Sequence, residues 1–557
     1  MPAPTIHNPI LPGFNPDPSI VRVGDDYYVA TSTFEWYPGV QIHHSRDLVH
    51  WRLLTRPLSR ASQLDLRGDP DSCGVWAPCL TWADGRFWLI YTDVKRYART
   101  SVPSASGASM RDFHNFLVTC PTIDGAWSDP VYLNSSGFDP SLFHDDDGRK
   151  YLVNMLWDWR PGHNRFGGIV LQEYSVKDRK LVGERTNIFR GTELGFTEAP
   201  HLYKRAGWYY LLTAEGGTFW DHTVTMARSR SLRGPYELHP DAHILSARHR
   251  PELPLQKSGH ADLVETQDGR TYMVYLCSRP LPNRGRSPLG RETAIQPMEW
   301  HPDGWLRTIR NEAGIGEDAG VPQLEVEAPG LPLHPFPAPA PREDFDAPEL
   351  PIAFQWLRTP HPDELFSLTA RKGHLRLIGR ETLGSYFRQA LVARRQQAHC
   401  YTASTVVEFE PEHYQQAAGL ICYYGGNKYH YLYVCHDEAV GKHLRVMSAF
   451  PDGPAADAFT PPIPVPGGKR IELKAEVDYS RLRFGYRVEG VDHEWRWLPE
   501  QFDASILSDE ASAPGAPNFT GAFVGMACQD LAGTARPADF DWFEYRERAY
   551  DARTPSA

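Results

Sequence analysis

The sequence has no run of about 18 apolar residues, the rough length of a membrane-crossing helix. Residues 1–10 carry neither a basic start nor an apolar core, so they do not read as a secretory leader. Cysteine is scarce, with eight in 557 residues. No two form a C-x-x-C pair and no zinc motif is present. Cys277 follows Tyr275-Leu276 and Cys422 follows Leu420-Ile421, apolar strand-like contexts that suit buried, reduced thiols. Positive charge is also short. Lys and Arg number 58 against 69 Asp and Glu, a net charge of −11, which argues against nucleic acid or an anionic membrane as partner. Asp145-Asp146-Asp147-Gly148 lacks the alternating ligands of a calcium loop and reads as a solvated hairpin turn. The chain is therefore expected to be soluble and cytoplasmic. Its length exceeds what one core can hold, so two or three domains are expected.

What the sequence does have is a long-period repeat. Asp17-Pro18-Ser19-Ile20 recurs as Asp139-Pro140-Ser141-Leu142. Trp76-Ala77-Pro78-Cys79-Leu80, Glu198-Ala199-Pro200-His201-Leu202 and Gly259-His260-Ala261-Asp262-Leu263 are looser copies. The anchors Asp17, Ala77, Asp139, Ala199 and His260 are spaced 60, 62, 60 and 61 residues apart. A near-constant period marks a repeat architecture. Each anchor opens an apolar run, a tight turn and an aromatic-rich run, over 19–29, 79–90, 141–153, 201–212 and 262–274. The turns are Gly24-Asp25, Asp84-Gly85, Asp147-Gly148, Ala206-Gly207 and Asp268-Gly269, and Asp-Gly between β-rich runs is a strong hairpin signal. Each period has room for two more strands. Blade ends recur as well, with Trp51, Trp127 and Tyr236 read as aromatics packed between blades. Four strands repeated five times describe a five-bladed β-propeller over residues 1–325.

A Pro-rich linker follows at 326–343, with Pro332, Pro335, Pro337, Pro339 and Pro341. Beyond it, short alternating runs at 375–378, 404–409, 429–434, 470–477 and 522–526 predict a β-sandwich over 344–549, with a loose tail at 550–557. The fold class is all-β.

In a propeller the first strand of each blade lines the central channel, so the anchors should converge. Asp17, Asp139 and His260 share one repeat position, while Glu198 and Trp76 stand one residue earlier. A structural repeat would tend to keep one residue type there. The variation suggests divided labour instead. Two separated carboxylates are the minimum set for glycoside hydrolysis, one protonated to aid the leaving oxygen and one ionised. A third nearby raises the acid's pKa by repulsion. Phe34, Trp36 and Trp76 lie toward the pocket end, where aromatics can stack on sugar faces.

These motifs resemble glycoside hydrolase family 43, and within it the β-xylosidases with a C-terminal sandwich. The resemblance rests on Asn15-Pro16-Asp17-Pro18-Ser19, Ser32-Thr33-Phe34-Glu35-Trp36-Tyr37-Pro38-Gly39, Gly74-Val75-Trp76-Ala77-Pro78, Phe138-Asp139-Pro140-Ser141 and Thr197-Glu198-Ala199-Pro200-His201-Leu202-Tyr203. Ser258-Gly259-His260, Leu289-Gly290-Arg291-Glu292-Thr293, Phe519-Thr520-Gly521-Ala522-Phe523 and Ala538-Asp539-Phe540-Asp541 extend it over nearly the whole chain. It implies Asp17 as general base, Glu198 as general acid and Asp139 as the residue that tunes and orients the acid. Arg291 would bond substrate hydroxyls and hold Asp139. Phe34 and Trp76 would wall the sugar site, with Phe519 narrowing it from the sandwich. His260 would sit deep in the channel, beside a buried water or a calcium ion. The implied reaction is inverting release of xylose from the non-reducing ends of β-1,4-xylo-oligosaccharides, with α-L-arabinofuranosidase side activity or, alternatively, that activity as the main one. No redox or nucleotide cofactor is implied. The expected partners are a small oligosaccharide and further copies of the chain. A retaining sucrose- or fructan-cleaving enzyme would share the two-domain plan but needs Asn-Asp-Pro-Asn-Gly and Arg-Asp-Pro motifs, which are missing. A non-catalytic sugar-binding propeller would have no need of three carboxylates converging with an arginine.

Overall fold

The computed structural model describes residues 4–97, 110–282, 284–309, 320–450, 458–512 and 518–548. Among them the only helical segments are two short 3-10 turns, Pro362–Glu364 and Ala504–Ile506. The expected tail lies outside the described residues. No described helix is long and apolar enough to cross a membrane.

Five four-stranded antiparallel sheets follow one another along the chain. Their first strands are Ser19–Val23, Gly74–Ala83, Ser141–His144, Glu198–Arg205 and Gln256–Glu265. The hairpin signals hold for a physical reason. Asp84 and Gly85 take φ of 53° and 69°, and Ala206 and Gly207 take 49° and 75°, the paired positive φ of a primed turn. The expected five-bladed propeller is present.

The anchors share a backbone conformation as well as a spacing. Asp17, Ala77, Asp139, Ala199 and His260 have φ of 56°, 40°, 53°, 52° and 48°. A non-glycine residue in the left-handed region costs about 1–2 kcal/mol. Here the cost is carried five times, once per blade. The kink breaks the ladder at that point. Pairing shifts register between Trp76 and Cys79, between Glu198 and His201, and between Gly259 and Asp262. In blades 1 and 3 the strand starts only after the anchor. Anchors freed from the ladder are available to the channel.

The ring is closed by both ends of the propeller sequence. Thr5–His7 pairs antiparallel with Glu325–Glu327, and Ile20 N–H donates to Asp262 Oδ2 at 2.8 Å, joining blade 1 to blade 5. The closing strand runs through the expected domain end at 325. At the other end of the expected linker, Arg342 and Glu343 already pair with Glu544 and Phe543. The Asp145 turn is less solvated than its sequence suggests, because Lys204 Nζ and Tyr209 Oη bond its carboxylate at 2.6 and 2.9 Å. All eight cysteines are buried and unpaired.

The second domain is a sandwich of two large antiparallel sheets. Strand Ile471–Asp478 alternates buried and half-buried residues along its length, as one face turned to a core requires. The other sheet has an unexpected last strand. Trp36–Tyr37, from within blade 1, pairs with Phe354–Leu357 of the sandwich. Trp36 is fully buried and stacks on Phe523 of the sandwich at 3.7 Å between ring centres. Arg395 Nε reaches from the sandwich to Phe14 O at 2.6 Å. The two domains therefore share a sheet and an aromatic core. Trp36, placed by its sequence near the pocket end, is an interdomain core residue.

That sharing predicts a large effect from one side chain. Trp36→Ala should cost about 3–5 kcal/mol, the range for emptying a large aromatic site in a core. Denaturant unfolding of the full chain should show this loss. A change under about 1 kcal/mol would mean the stack contributes little.

Candidate active site

Asp17 is held on both oxygens. Ser32 Oγ donates to Oδ2 at 2.6 Å, and Arg291 Nη1 donates to Oδ1 at 2.6 Å. Ser32 follows the second strand of blade 1, and its N–H bonds Pro16 O at 3.1 Å. Arg291 immediately precedes strand Glu292–Trp300 of blade 5. Ring closure sets blade 5 beside blade 1, so its guanidinium reaches the first anchor. The expectation that Arg291 would hold Asp139 is corrected here. Its bond goes to Asp17, and it acts on Asp139 only through its field.

Asp139 Oδ2 instead accepts the Ala199 N–H at 3.1 Å, which ties the third anchor to the residue after Glu198. His260 Nδ1 stands 3.8 Å from Asp17 Oδ1 and 3.9 Å from Asp139 Oδ2. Three of the five anchors thus meet, as the repeat implied. Glu198 is buried with them. Burial first, then Asp139 and Asp17, hold the Glu198 carboxyl well above its ordinary pKa, with Arg291 pulling the other way. Asp139 is likewise raised by burial and then by Asp17, against the Ala199 N–H and Arg291. Burial, then His201 and Arg291, push His260 well below its ordinary value, so the ring is neutral near pH 7.

Aromatic rings wall this group. Phe34 lies 5.4 Å from Trp76, and the Arg291 guanidinium lies 5.3 Å over the Phe34 ring. Trp76 is fixed by a 3.1 Å bond from Nε1 to Ser72 O. Phe519, from the sandwich, packs edge-on against Trp76 at 5.4 Å, and its carbonyl accepts from Arg291 Nη2 at 3.0 Å. Apart from Trp36, every residue singled out in the sequence for this site is therefore in one place. Tyr97 and Phe138 were missed. Tyr97 packs on Trp76 at 5.1 Å, and its hydroxyl is pushed up to about 12 by burial and then by Glu198. Phe138, 5.6 Å from Trp76, precedes an anchor and so had a positional signal. Tyr97 had none.

Calcium takes six to eight oxygen ligands at about 2.3–2.6 Å. His260 offers nitrogen, and no group of three His, Cys, Asp or Glu among the described residues is disposed to hold a metal. Side chains of these four types alone therefore do not enclose a calcium ion at His260 among the described residues.

Buried carboxyls with raised pKa values make a stability prediction. Each favours folding while protonated, and that contribution is lost as pH rises from the unfolded value toward the folded one. Glu198→Gln and Asp139→Asn should therefore raise Tm at pH 7 by about 1–4 °C. The gain should vanish below about pH 3, where the native carboxyls are protonated in both states. Calorimetry at the two pH values checks this. An equal gain at both would remove ionisation as the cause.

Residues 6–306 match the family model for glycosyl hydrolases family 43, and residues 342–546 match that for the beta xylosidase C-terminal Concanavalin A-like domain. Xylosidase/arabinosidase 43B of Humicola insolens is 51% identical over 550 residues, covering 98% of each chain. The beta-xylosidase of Bacillus subtilis (strain 168) is 49% identical over 559 residues, 98% of this chain and 100% of the relative. The crystal structure of a xylan beta-1,4-xylosidase from Bacillus halodurans C-125 matches with a TM-score of 0.92 at 51% identity, covering 97% of this chain and 100% of that one. With matches of this extent across both domains, the chain belongs to glycosyl hydrolases family 43.

Proposed function

We propose that the protein is an exo-acting, inverting β-xylosidase that releases xylose from the non-reducing ends of β-1,4-xylo-oligosaccharides. The observation that carries this reading is the convergence of three buried carboxylates with one arginine inside an aromatic-walled pocket. Asp17 is the general base. Its carboxylate is aimed by Ser32 and Arg291, and it activates the water that attacks the anomeric carbon. Glu198 is the general acid. It keeps its proton toward neutral pH and passes it to the departing glycosidic oxygen. Asp139 is the tuning group, raising Glu198 by repulsion and fixing the backbone beside it through Ala199. Arg291 steadies Asp17 and faces the sugar hydroxyls, while Phe34 and Trp76 stack on the terminal sugar. Phe519 closes the pocket from the sandwich, which suits removal of one end sugar rather than attack within a polymer.

Terminal α-L-arabinofuranose presents a similar shape around its reacting carbon, so arabinofuranosidase side activity accompanies this reading. The name of the Humicola insolens relative, xylosidase/arabinosidase, supports it. No redox or nucleotide cofactor takes part. A calcium ion beside His260 would be carried on water, outside the proton transfers. The reading also includes a homo-oligomer in the cytoplasm.

Leaving-group chemistry separates the two catalytic carboxylates. A general acid matters most for a poor leaving group, and general acid or base help is worth about 10²–10⁴-fold. Glu198→Ala should cripple xylobiose cleavage yet keep much of the activity on 4-nitrophenyl β-xyloside. Asp17→Ala should reduce kcat on both by at least about a hundredfold. Asp139→Asn removes a charge that raises Glu198, so the basic limb of the pH–rate profile should move to lower pH. Early product followed by NMR should be α-xylose. Equal losses for Glu198→Ala on both substrates would remove it as the acid, and β-xylose appearing first would overturn inversion. Binding without turnover by the unmodified protein would favour the non-catalytic alternative.

A further inference from the structure

The residues around the pocket are joined into a closed circuit of hydrogen bonds. Asp17 Oδ2 accepts from Ser32 Oγ, and Ser32 Oγ in turn accepts the Ala77 N–H at 2.7 Å. Ala77 is bonded covalently to Trp76, whose indole N–H reaches Ser72 O. Ser72 Oγ accepts the Phe519 N–H at 3.1 Å. The Phe519 carbonyl accepts from Arg291, and Arg291 returns to Asp17. The Phe519 peptide groups thus span the pocket, held from blade 2 at the N–H and from blade 5 at the carbonyl.

Ser72 stands at the turning point of this circuit. Its carbonyl takes one pocket aromatic and its hydroxyl takes the other. Its own N–H donates to Glu35 Oε2 at 3.2 Å. Glu35 is fully buried, and its carbonyl accepts the N–H of Arg358, a sandwich residue whose guanidinium bonds Asp71 at 2.6 Å. Ser72 is 1% exposed and has φ of 64°. Serine is strained in the left-handed region, where glycine is not. A serine kept there at that cost, with all three of its polar groups engaged, is placed for its hydroxyl rather than for its backbone.

We propose that Ser72 is a positioning residue for the terminal-sugar pocket, setting Phe519 against Trp76 and, through the Phe519 carbonyl, steadying Arg291 on Asp17. This rests on the function proposed above, because the pocket it shapes is the one assigned to the terminal xylose.

The test uses the full chain with Ser72→Ala and Ser72→Gly. Both remove the hydroxyl, and glycine also relieves the strained backbone. Loss of one hydrogen bond to a pocket wall should raise KM for xylobiose about five- to tenfold. kcat should stay within about twofold, since the Asp17 and Glu198 carboxyls remain. Xylose should inhibit more weakly by a similar factor. The Tm of Ser72→Gly should equal or exceed that of Ser72→Ala, because both lose the hydroxyl and only glycine is unstrained at φ of 64°. A merely structural residue would lower Tm in both variants without moving KM. A KM within about twofold of the unmodified value in a folded Ser72→Gly protein overturns the inference, since a pocket-wall bond should be worth more. Failure of both variants to fold assigns Ser72 to stability and also overturns it. An unmodified protein that does not cleave xylobiose defeats the proposed function. Cleavage by the unmodified protein with unchanged KM in the variants defeats this inference alone.

Discussion

One guanidinium faces three buried carboxyls, and the chemistry of the pocket follows from that imbalance. Arg291 spends its direct bond on Asp17. His260 is neutral, so it brings no second positive charge. Ionising Asp17, Asp139 and Glu198 together would leave uncompensated negative charge in a site shielded from water, where Coulomb repulsion is several-fold stronger than in bulk solvent. The group avoids this by retaining protons. Asp17 has the arginine, so proton retention falls to the Glu198–Asp139 pair, where the charge left when Asp139 ionises holds the proton on Glu198. Glu198 and Asp139 are thereby held above their ordinary values by surroundings alone.

The fold supplies the imbalance through repetition with substitutions. Five equivalent left-handed kinks present five side chains to one channel. Two of those positions are alanine, which leaves room for the residue before each one. In blade 2 that residue is Trp76, and in blade 4 it is Glu198. The Asp17–Arg291 bond further requires that blade 1 and blade 5 meet. That meeting depends on Thr5–His7 pairing with Glu325–Glu327, and on Asp262 receiving the Ile20 N–H. A change at the closing strand should therefore reach Asp17 first.

The repeat, the hairpins and the converging anchors were legible in the sequence because each is a short-range signal repeated five times. Asp84-Gly85 announces its turn locally, and Asp17 and Asp139 announce each other through their shared Asp-Pro-Ser. What stayed hidden depends on single long-range contacts. Trp36–Tyr37 is too short to show a period, and its partner strand lies at Phe354–Leu357, in another domain. Its exchange into the sandwich sheet could not be read from either segment. The partner of Arg291 was misassigned because a family motif says that an arginine reaches the site, while only ring closure says which carboxyl it meets. The bond between Phe519 N–H and Ser72 Oγ joins residues from distant parts of the chain, and Ser72 does not stand out in its own neighbourhood.

The interface between propeller and sandwich belongs to the site as much as the blades do. It is a continuous sheet, an aromatic stack and a set of buried polar pairs, including Lys257 of blade 5 with Glu510 of the sandwich. Buried ion pairs are poor stabilisers, because desolvation offsets most of the attraction, but breaking one is costly. Together with the stacked Trp36 and Phe523, such pairs hold one relative placement of the domains rather than a range of them. Phe519 is therefore presented on a fixed surface, pinned at its N–H and its carbonyl by propeller residues. A wall placed in advance leaves less ordering entropy to be lost when sugar binds. It also limits the enclosed space before any substrate arrives. Preference for a single terminal sugar then follows from the rigidity of the interface, with the carboxyls setting only what happens to the sugar that fits.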